Sequence, residues 1–335
     1  MAGDHVPQPG LQPVALDAMG GDKAPEEIVK GARIAYEQYG IPVVLVGQSG
    51  KLEDTGGIPI VDCSEVIAMD EDPALGVRRK KDSSLVRSAD LVRDGKACAM
   101  VSAGNTGATM ASALFRMGRI KGIQRPAIAT PIPNLASTPT VLLDSGANVE
   151  CSAGMLAQFA MMGAVFSSAR YGVDRPKVGL LSIGEEAGKG NSQVKEAHEI
   201  IVGMDEPGFD FTGNVEGRDL MKGAVDVVVT DGFTGNVALK ALEGALGFFV
   251  DALMGAIGRD ESTKAAGKVL FEQLAPVVDR LDPDSVGGAM LLGIDGICII
   301  SHGSSSAKAI TSALRVAHDL SRTKLVDQIR ARAGA

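Results

Sequence analysis

Val225-Asp-Val-Val-Val-Thr-Asp-Gly-Phe-Thr-Gly-Asn236 sets the pattern of this chain: a short apolar run, a glycine-bearing polar loop, then a helical repeat. The run does not alternate apolar with polar, which is how a strand covered on both faces reads. The same order recurs five times. Val14–Leu16 leads into Asp17-Ala-Met-Gly-Gly-Asp22, Ala99–Val101 into Ser102-Ala-Gly-Asn-Thr-Gly-Ala108, and Val141–Leu143 into Asp144-Ser-Gly-Ala-Asn-Val-Glu150. Val178–Leu181 leads into the loop 182–191, and Ile297–Ile300 into Ser301-His-Gly-Ser-Ser-Ser306. Helical patterns fill the intervals at 25–39, 83–94, 106–115, 152–171, 192–201 and 304–319. Pro25 followed by Glu26 and Glu27 makes a good first turn.

Strand–helix alternation predicts an α/β fold with a doubly wound, mostly parallel sheet in an α/β/α sandwich. In such a sheet ligands lie beyond the carboxyl ends of the strands, and all six loops are expected to converge on that one edge. No internal repeat and no low-complexity segment is evident. The stretch from Thr234 to about residue 282 breaks the alternation. Its first helix carries Leu239, Leu242, Leu246, Phe249, Leu253 and Ile257, widened by Phe248, Val250 and Met254 until little of it is polar. Such a helix must be buried in core, partner or lipid. The expected organisation is a tail over 1–12 and a single α/β unit over 13–335, with a protruding helical hairpin at 234–282.

Composition narrows the function. A net charge of −8 argues against nonspecific nucleic-acid binding, and the lack of tryptophan argues against base-stacking platforms. Cys63, Cys98, Cys151 and Cys298 form no C-x-x-C pair, no histidines have metal spacing, and a reducing cytoplasm fits. The first residues lack the basic and apolar regions of a signal peptide. Gly184-Glu-Glu-Ala-Gly-Lys-Gly190 is one residue short of a nucleotide phosphate loop and lacks the Ser/Thr after Lys189. No G-x-G-x-x-G follows the first strand.

What remains is a set of loops able to cradle an anion with backbone N–H groups and helix N-termini. Lys189 is either a solvated lysine or a compact charge for phosphate. Asn236 either caps the following helix or donates its amide hydrogen to a carbonyl oxygen. His302 either bonds backbone or ligates an anion. Cys151 opens a helix but has no histidine partner by spacing, and reads as filler. Arg78, Arg79, Lys80 and Lys81 form a basic island in an acidic chain, either a solvated face or a docking patch for an acidic partner.

Taken together, Asp17–Asp22, Arg78–Lys81, Ser102–Gly107, Gly118-Arg-Ile-Lys-Gly122, Gly146-Ala-Asn148, Gly213-Asn-Val215, Asp231–Asn236, Gly287-Gly288 and His302-Gly-Ser-Ser305 resemble the acyl-carrier-protein:phosphate acyltransferase (PlsX-type) family. The resemblance spans roughly 17–306. It implies a fold like that of isocitrate dehydrogenase and phosphate acetyltransferase. It also implies transfer of a long-chain fatty acyl group from acyl carrier protein to inorganic phosphate, with no metal or organic cofactor. The acyl-phosphate would feed a membrane glycerol-3-phosphate acyltransferase in phospholipid synthesis. The implied protein is a cytoplasmic homodimer with weak peripheral membrane contact. The family's catalytic lysine and asparagine map onto Lys189 and Asn236. Asp17, Gly20, Gly21, Asp22, Ser102, Gly104, Asn105, Thr106, Gly107, Asn148, Asp231, Gly232, Thr234, Gly235 and His302 are expected to bind substrate and phosphate. Arg78, Arg79, Lys80 and Lys81 are expected to dock the carrier. Lys23 stands where the family is expected to have a histidine. Two alternatives remain open: a phosphate acyltransferase using short acyl-coenzyme A, and a non-catalytic membrane-associated scaffold.

Overall fold

Eleven short strands share one sheet in this computed structural model, which describes residues 12–134, 138–281 and 283–334. The expected tail, apart from Gln12, lies outside the described residues, as do residue 282 of the expected hairpin and residue 335. In chain order the strands are β1 (Val14–Asp17), β2 (Val43–Gly47), β3 (Ile60–Asp62), β4 (Ala99–Ser102), β5 (Ala127–Ile132) and β6 (Thr140–Leu143). They continue with β7 (Lys177–Leu181), β8 (Asp210–Val215), β9 (Val227–Val229), β10 (Ala289–Leu292) and β11 (Cys298–Ile300). Their order across the sheet is β3-β2-β1-β4-β11-β10-β5-β6-β9-β7-β8.

Helices cover both faces, as the alternation requires. One face carries α1 (Glu26–Tyr39), α5 (Ala153–Tyr171), α6 (Ser192–Val202), α10 (Ala307–Ser321) and α11 (Leu325–Ala333), packed on Val14, Leu16, Leu143, Val227 and Val229. The other carries α2 (Pro73–Arg79), α3 (Ser84–Arg93) and α4 (Thr106–Arg116), packed on Ala15, Val46, Met100 and Ile128. Farther along that face, α7 (Gly232–Ile257) rests its base on Leu142 and Val228 through Leu239 and Leu242. It then runs outward and returns as α8 (Glu261–Leu281), and the short α9 (Pro283–Val286) leads back to β10. The hairpin expected over 234–282 is therefore present, with its first helix starting two residues earlier. Phe248, Phe249, Val250 and Met254 are exposed on it, so the intramolecular core does not take up its apolar surface.

The direction of the strands overturns the expected convergence of six loops. β1, β2, β3, β4 and β11 are mutually parallel, and β10 is antiparallel to both β11 and β5. β6 is antiparallel to β5, and β9, β7 and β8 continue parallel to β6. The sheet thus has two halves of opposite sense. The carboxyl ends of β1, β4 and β11 open on one edge, and those of β6, β9 and β7 on the other.

The two edges share a construction that also corrects the reading of no internal repeat. In each half a Leu-Asp pair stands at the carboxyl end of a strand, Leu16-Asp17 closing β1 and Leu143-Asp144 closing and following β6, beside a parallel strand running into Ser/Thr-x-Gly-x-Thr-Gly. The latter are Ser102-Ala-Gly-Asn-Thr-Gly107 and Thr230-Asp-Gly-Phe-Thr-Gly235. The copies are too short and too far apart in sequence to stand out without the pairing.

Candidate active site

Both edges are organised by a buried aspartate. At the first, the Ser102 hydroxyl donates to Asp17 Oδ2 (2.7 Å) and accepts from Gly104 N–H (3.0 Å), tying the β1 and β4 loops together. Burial pushes the Asp17 carboxyl up, against hydrogen bonds from Ser84, Ser102 and the Met19 and Gly20 amides. Gly20 lies so close to Gly104 that an added Cβ would stand 2.8 Å from its Cα, and Gly21 takes a φ of 115°. Asn105 caps α4 through Ala108 N–H (3.0 Å), and its amide donates to the Met69 and Glu71 carbonyls (2.8 and 3.2 Å). Asp22 N–H donates to the Gly303 carbonyl (2.8 Å), bringing in the loop after β11. There His302 is exposed, with Nδ1 engaged by Ser304. Thr106 is exposed and Gly107 packs on Pro73 at the start of α2.

The basic island lies beside this first edge. Arg78, Arg79 and Lys81 are exposed. Lys80 instead turns inward to Glu71 Oε2 (2.5 Å) and the Val66 carbonyl (2.8 Å). Its ammonium holds Glu71 below the usual carboxylate range and pins the 66–71 segment. Lys80 is thus part of the support of α2, and the exposed charge belongs to its three neighbours.

At the second edge Asp144, fully buried, plays the anchoring part, and reading the sequence did not single it out. Its Oδ1 accepts from the amides of Ile128, Gly146 and Ala147 (3.0, 3.1 and 2.9 Å). Its Oδ2 accepts from the amide and side chain of Asn148 (2.7 and 2.8 Å). The signal that could have found it is the Leu-Asp strand ending shared with β1. Asn148 also donates to the Pro126 carbonyl (2.8 Å). Gly232 N–H donates to the Asn148 carbonyl (2.7 Å), seating the start of α7 on this loop. Asp231 caps α7, accepting from Thr234 N–H and from its hydroxyl (both 2.8 Å). Gly235 faces the Asp144 carbonyl so closely that a Cβ would lie 1.9 Å from the oxygen.

Against this supported background, two polar side chains are left over. Asn236, in the first turns of α7, is exposed, and its amide has no partner among the described residues. A Cβ built on Gly146 would lie 3.8 Å from Asn236 Oδ1, so the amide stands over the β6 loop. Lys189 is exposed in the loop after β7, its stem lying against Gly184, and its ammonium has no partner among the described residues. Asn214 donates to the Glu186 carbonyl (2.8 Å) and holds that loop to β8. β7 and β6 both flank β9, so the loops bearing Lys189, Asn236 and Asn148 are neighbours at one edge.

Such an edge can neutralise an anion and donate a hydrogen bond to an oxygen at a helix N-terminus. It has no ready protein nucleophile. Desolvation, reinforced by the Asp144 charge, pushes the Cys151 thiol up to about 12, so it is not a thiolate at neutral pH. Among the described residues no three His, Cys, Asp or Glu side chains gather as a metal site.

This architecture defines a class: an α/β sandwich of phosphotransacetylase type. It superposes on a phosphotransacetylase from Streptococcus pyogenes with a TM-score of 0.61 at 19% identity, covering 94% of each chain. A branched-chain phosphotransacylase from Enterococcus faecalis gives 0.58 at 15% identity, over 93% of this chain and 99% of that one. Sequence carries the assignment further. Residues 13–328 match the family model described as "Fatty acid synthesis protein". The chain is 49% identical to a phosphate acyltransferase of Pelotomaculum thermopropionicum, over 95% of this chain and 94% of the relative. It is 46% identical to one of Desulforudis audaxviator, over 94% of each. The chain belongs to the acyl-carrier-protein:phosphate acyltransferase (PlsX-type) family.

Proposed function

We propose that this phosphate acyltransferase performs its chemistry at the second edge, with Lys189 and Asn236 as the catalytic pair and acyl carrier protein as the donor. The observation that carries the reading is that these two exposed side chains, on adjoining loops at the N-terminus of α7, alone among that edge's proposed residues keep their polar ends unengaged. Phosphate is itself the nucleophile. It attacks the thioester carbonyl, the oxyanion forms, and the carrier's pantetheine thiolate leaves. A thiol of pKa ~8.5 leaves with little help from an acid. The protein's work is to hold the anion, align it and stabilise the developing charge. Lys189 neutralises phosphate and Asn236 donates to the oxyanion in this scheme. Gly232 and Gly235 let the start of α7 seat on the Asp144 loop, while Asn148, Asp231 and Thr234 fix its geometry.

The first edge, with Gly20, Gly21, Asp22, Gly104, Thr106, Gly107 and His302 above Asp17, Ser102 and Asn105, faces the carrier in this reading. Arg78, Arg79 and Lys81 supply charge complementary to an acidic protein. Residues 13–335 act as one catalytic unit, paired as a homodimer and touching the membrane through the exposed hairpin, where a glycerol-3-phosphate acyltransferase takes the product. No described helix is long and apolar enough to cross a membrane. The test is thiol release from palmitoyl-loaded carrier by the purified protein, with and without phosphate. Phosphate-dependent release supports the reading, and release that ignores phosphate sinks it.

A further inference from the structure

Four large apolar side chains are exposed on the two loops and the helix start that carry Asn148, Lys189 and Asn236. Val149 is 70% exposed, Ile183 84%, Phe233 61% and Val237 54%. Each is the chain neighbour of a residue already in the site: Val149 of Asn148, Ile183 of the Gly184 under the Lys189 stem, Phe233 of Gly232, and Val237 of Asn236. Val149 and Ile183 lie on the loops after β6 and β7, and Phe233 and Val237 in the first turns of α7, which follows β9. An isolated exposed apolar residue needs no explanation, but four set around one polar pair mark a ligand surface.

We infer that Val149, Ile183, Phe233 and Val237 form the seat of the donor's acyl chain, a specificity surface that rests on the function proposed above. The occupant follows from the reaction. The thioester carbonyl must lie between phosphate and the oxyanion donor, so the first methylenes of the acyl group leave the reaction centre at this rim. Beyond Val237 the exposed side of α7 continues through Ala241, Gly244 and Ala245 to Phe248, and a Cβ at Gly244 would meet nothing within 4 Å. From Asn236 to Phe248 this track is about 18 Å long at 1.5 Å per residue. It therefore suits a long chain, whose methylenes each gain from leaving water, better than a short one.

Steady-state kinetics with butyryl- and palmitoyl-loaded carrier tests this in the intact protein, comparing wild type with Ile183→Ser and Val149→Ser. Both positions are exposed, and unchanged unfolding midpoints will verify that the fold is kept. The expected result is a fall of about tenfold in the palmitoyl-to-butyryl ratio of kcat/KM in the double variant, the scale of losing buried apolar contact. A parallel loss on both donors, with or without a change in sedimentation that assigns the rim to a second copy, overturns the inference. So does an unchanged ratio. Wild type that releases no thiol in a phosphate-dependent way overturns the functional reading, and the acyl seat with it. A working wild type with an unmoved ratio overturns the seat alone.

Discussion

At the second edge, Lys189 and Asn236 keep their side chains free while Asn148, Asp231 and Thr234 commit theirs to the scaffold. That difference sets the expected behaviour of variants. Lys189→Ala and Asn236→Ala should each lower turnover by ~10²-fold or more, the scale of losing an anion or oxyanion donor. Their unfolding midpoints should stay near the wild-type value, since both side chains are exposed and neither makes a hydrogen bond or ion pair among the described residues. Turnover within about threefold of wild type in either would remove that residue from the catalytic pair. Gly235→Ala should act in the opposite way. Its methyl group would meet the Asp144 carbonyl, backbone that cannot step aside, so stability should fall by about 2–3 kcal/mol and activity with it. Calorimetry that found this variant as stable as wild type would mean that the loop yields. Asp82 offers a test by pH. The Ser64 hydroxyl and amide, then Arg87, lower its carboxyl to about 2. A lowered carboxylate stabilises the fold above its unfolded value near 4 and loses that contribution as pH falls toward 2. Acid unfolding of Asp82→Asn should therefore differ from wild type at neutral pH and converge with it near pH 2. Curves that stay parallel to pH 2 would contradict the assignment.

At the scale of elements, the end of α2 and the two residues after it divide their charge by direction. Lys80 points in and holds Glu71, whereas Arg78, Arg79 and Lys81 face solvent. Reversing the exposed three to Glu should raise KM for the carrier donor more than it changes kcat, and high salt should mimic it, because exposed charges are screened over ~8–10 Å. A KM that responds to neither would place the carrier elsewhere. Lys80→Glu should instead lower stability, by putting a carboxylate against Glu71. The sequence marked all four residues as one island because composition cannot say which way a side chain turns. The helices were legible for a plainer reason: Ser83, Asn105, Ser152, Asn191 and Asp231 each cap the helix that follows, and the apolar spacing gave the rest. The strands β2, β3, β5, β8 and β10 escaped notice because none runs through a glycine-bearing loop into an α-helix, the pattern that marked the other six.

For the whole molecule, the outward hairpin α7–α8 is where assembly is to be sought. Leu253→Glu should separate its uses. Loss of liposome binding in an active dimer would put the tip in lipid, and dissociation would put it in the subunit interface. An active dimer that binds liposomes as wild type does would refute the membrane role. The sequence by itself determined the α/β class, the strand–loop–helix order and the hairpin, because these rest on local pattern, while Lys189 and Asn236 entered through the family resemblance. Tertiary structure decided how the six loops divide. Strand direction depends on pairings, among them β5 with β10 more than a hundred residues away, and the antiparallel step from β5 to β6 reverses half the sheet. Local spacing does not carry that information, so the loops expected at one edge resolve into two, each anchored by an aspartate whose burial only the fold makes visible.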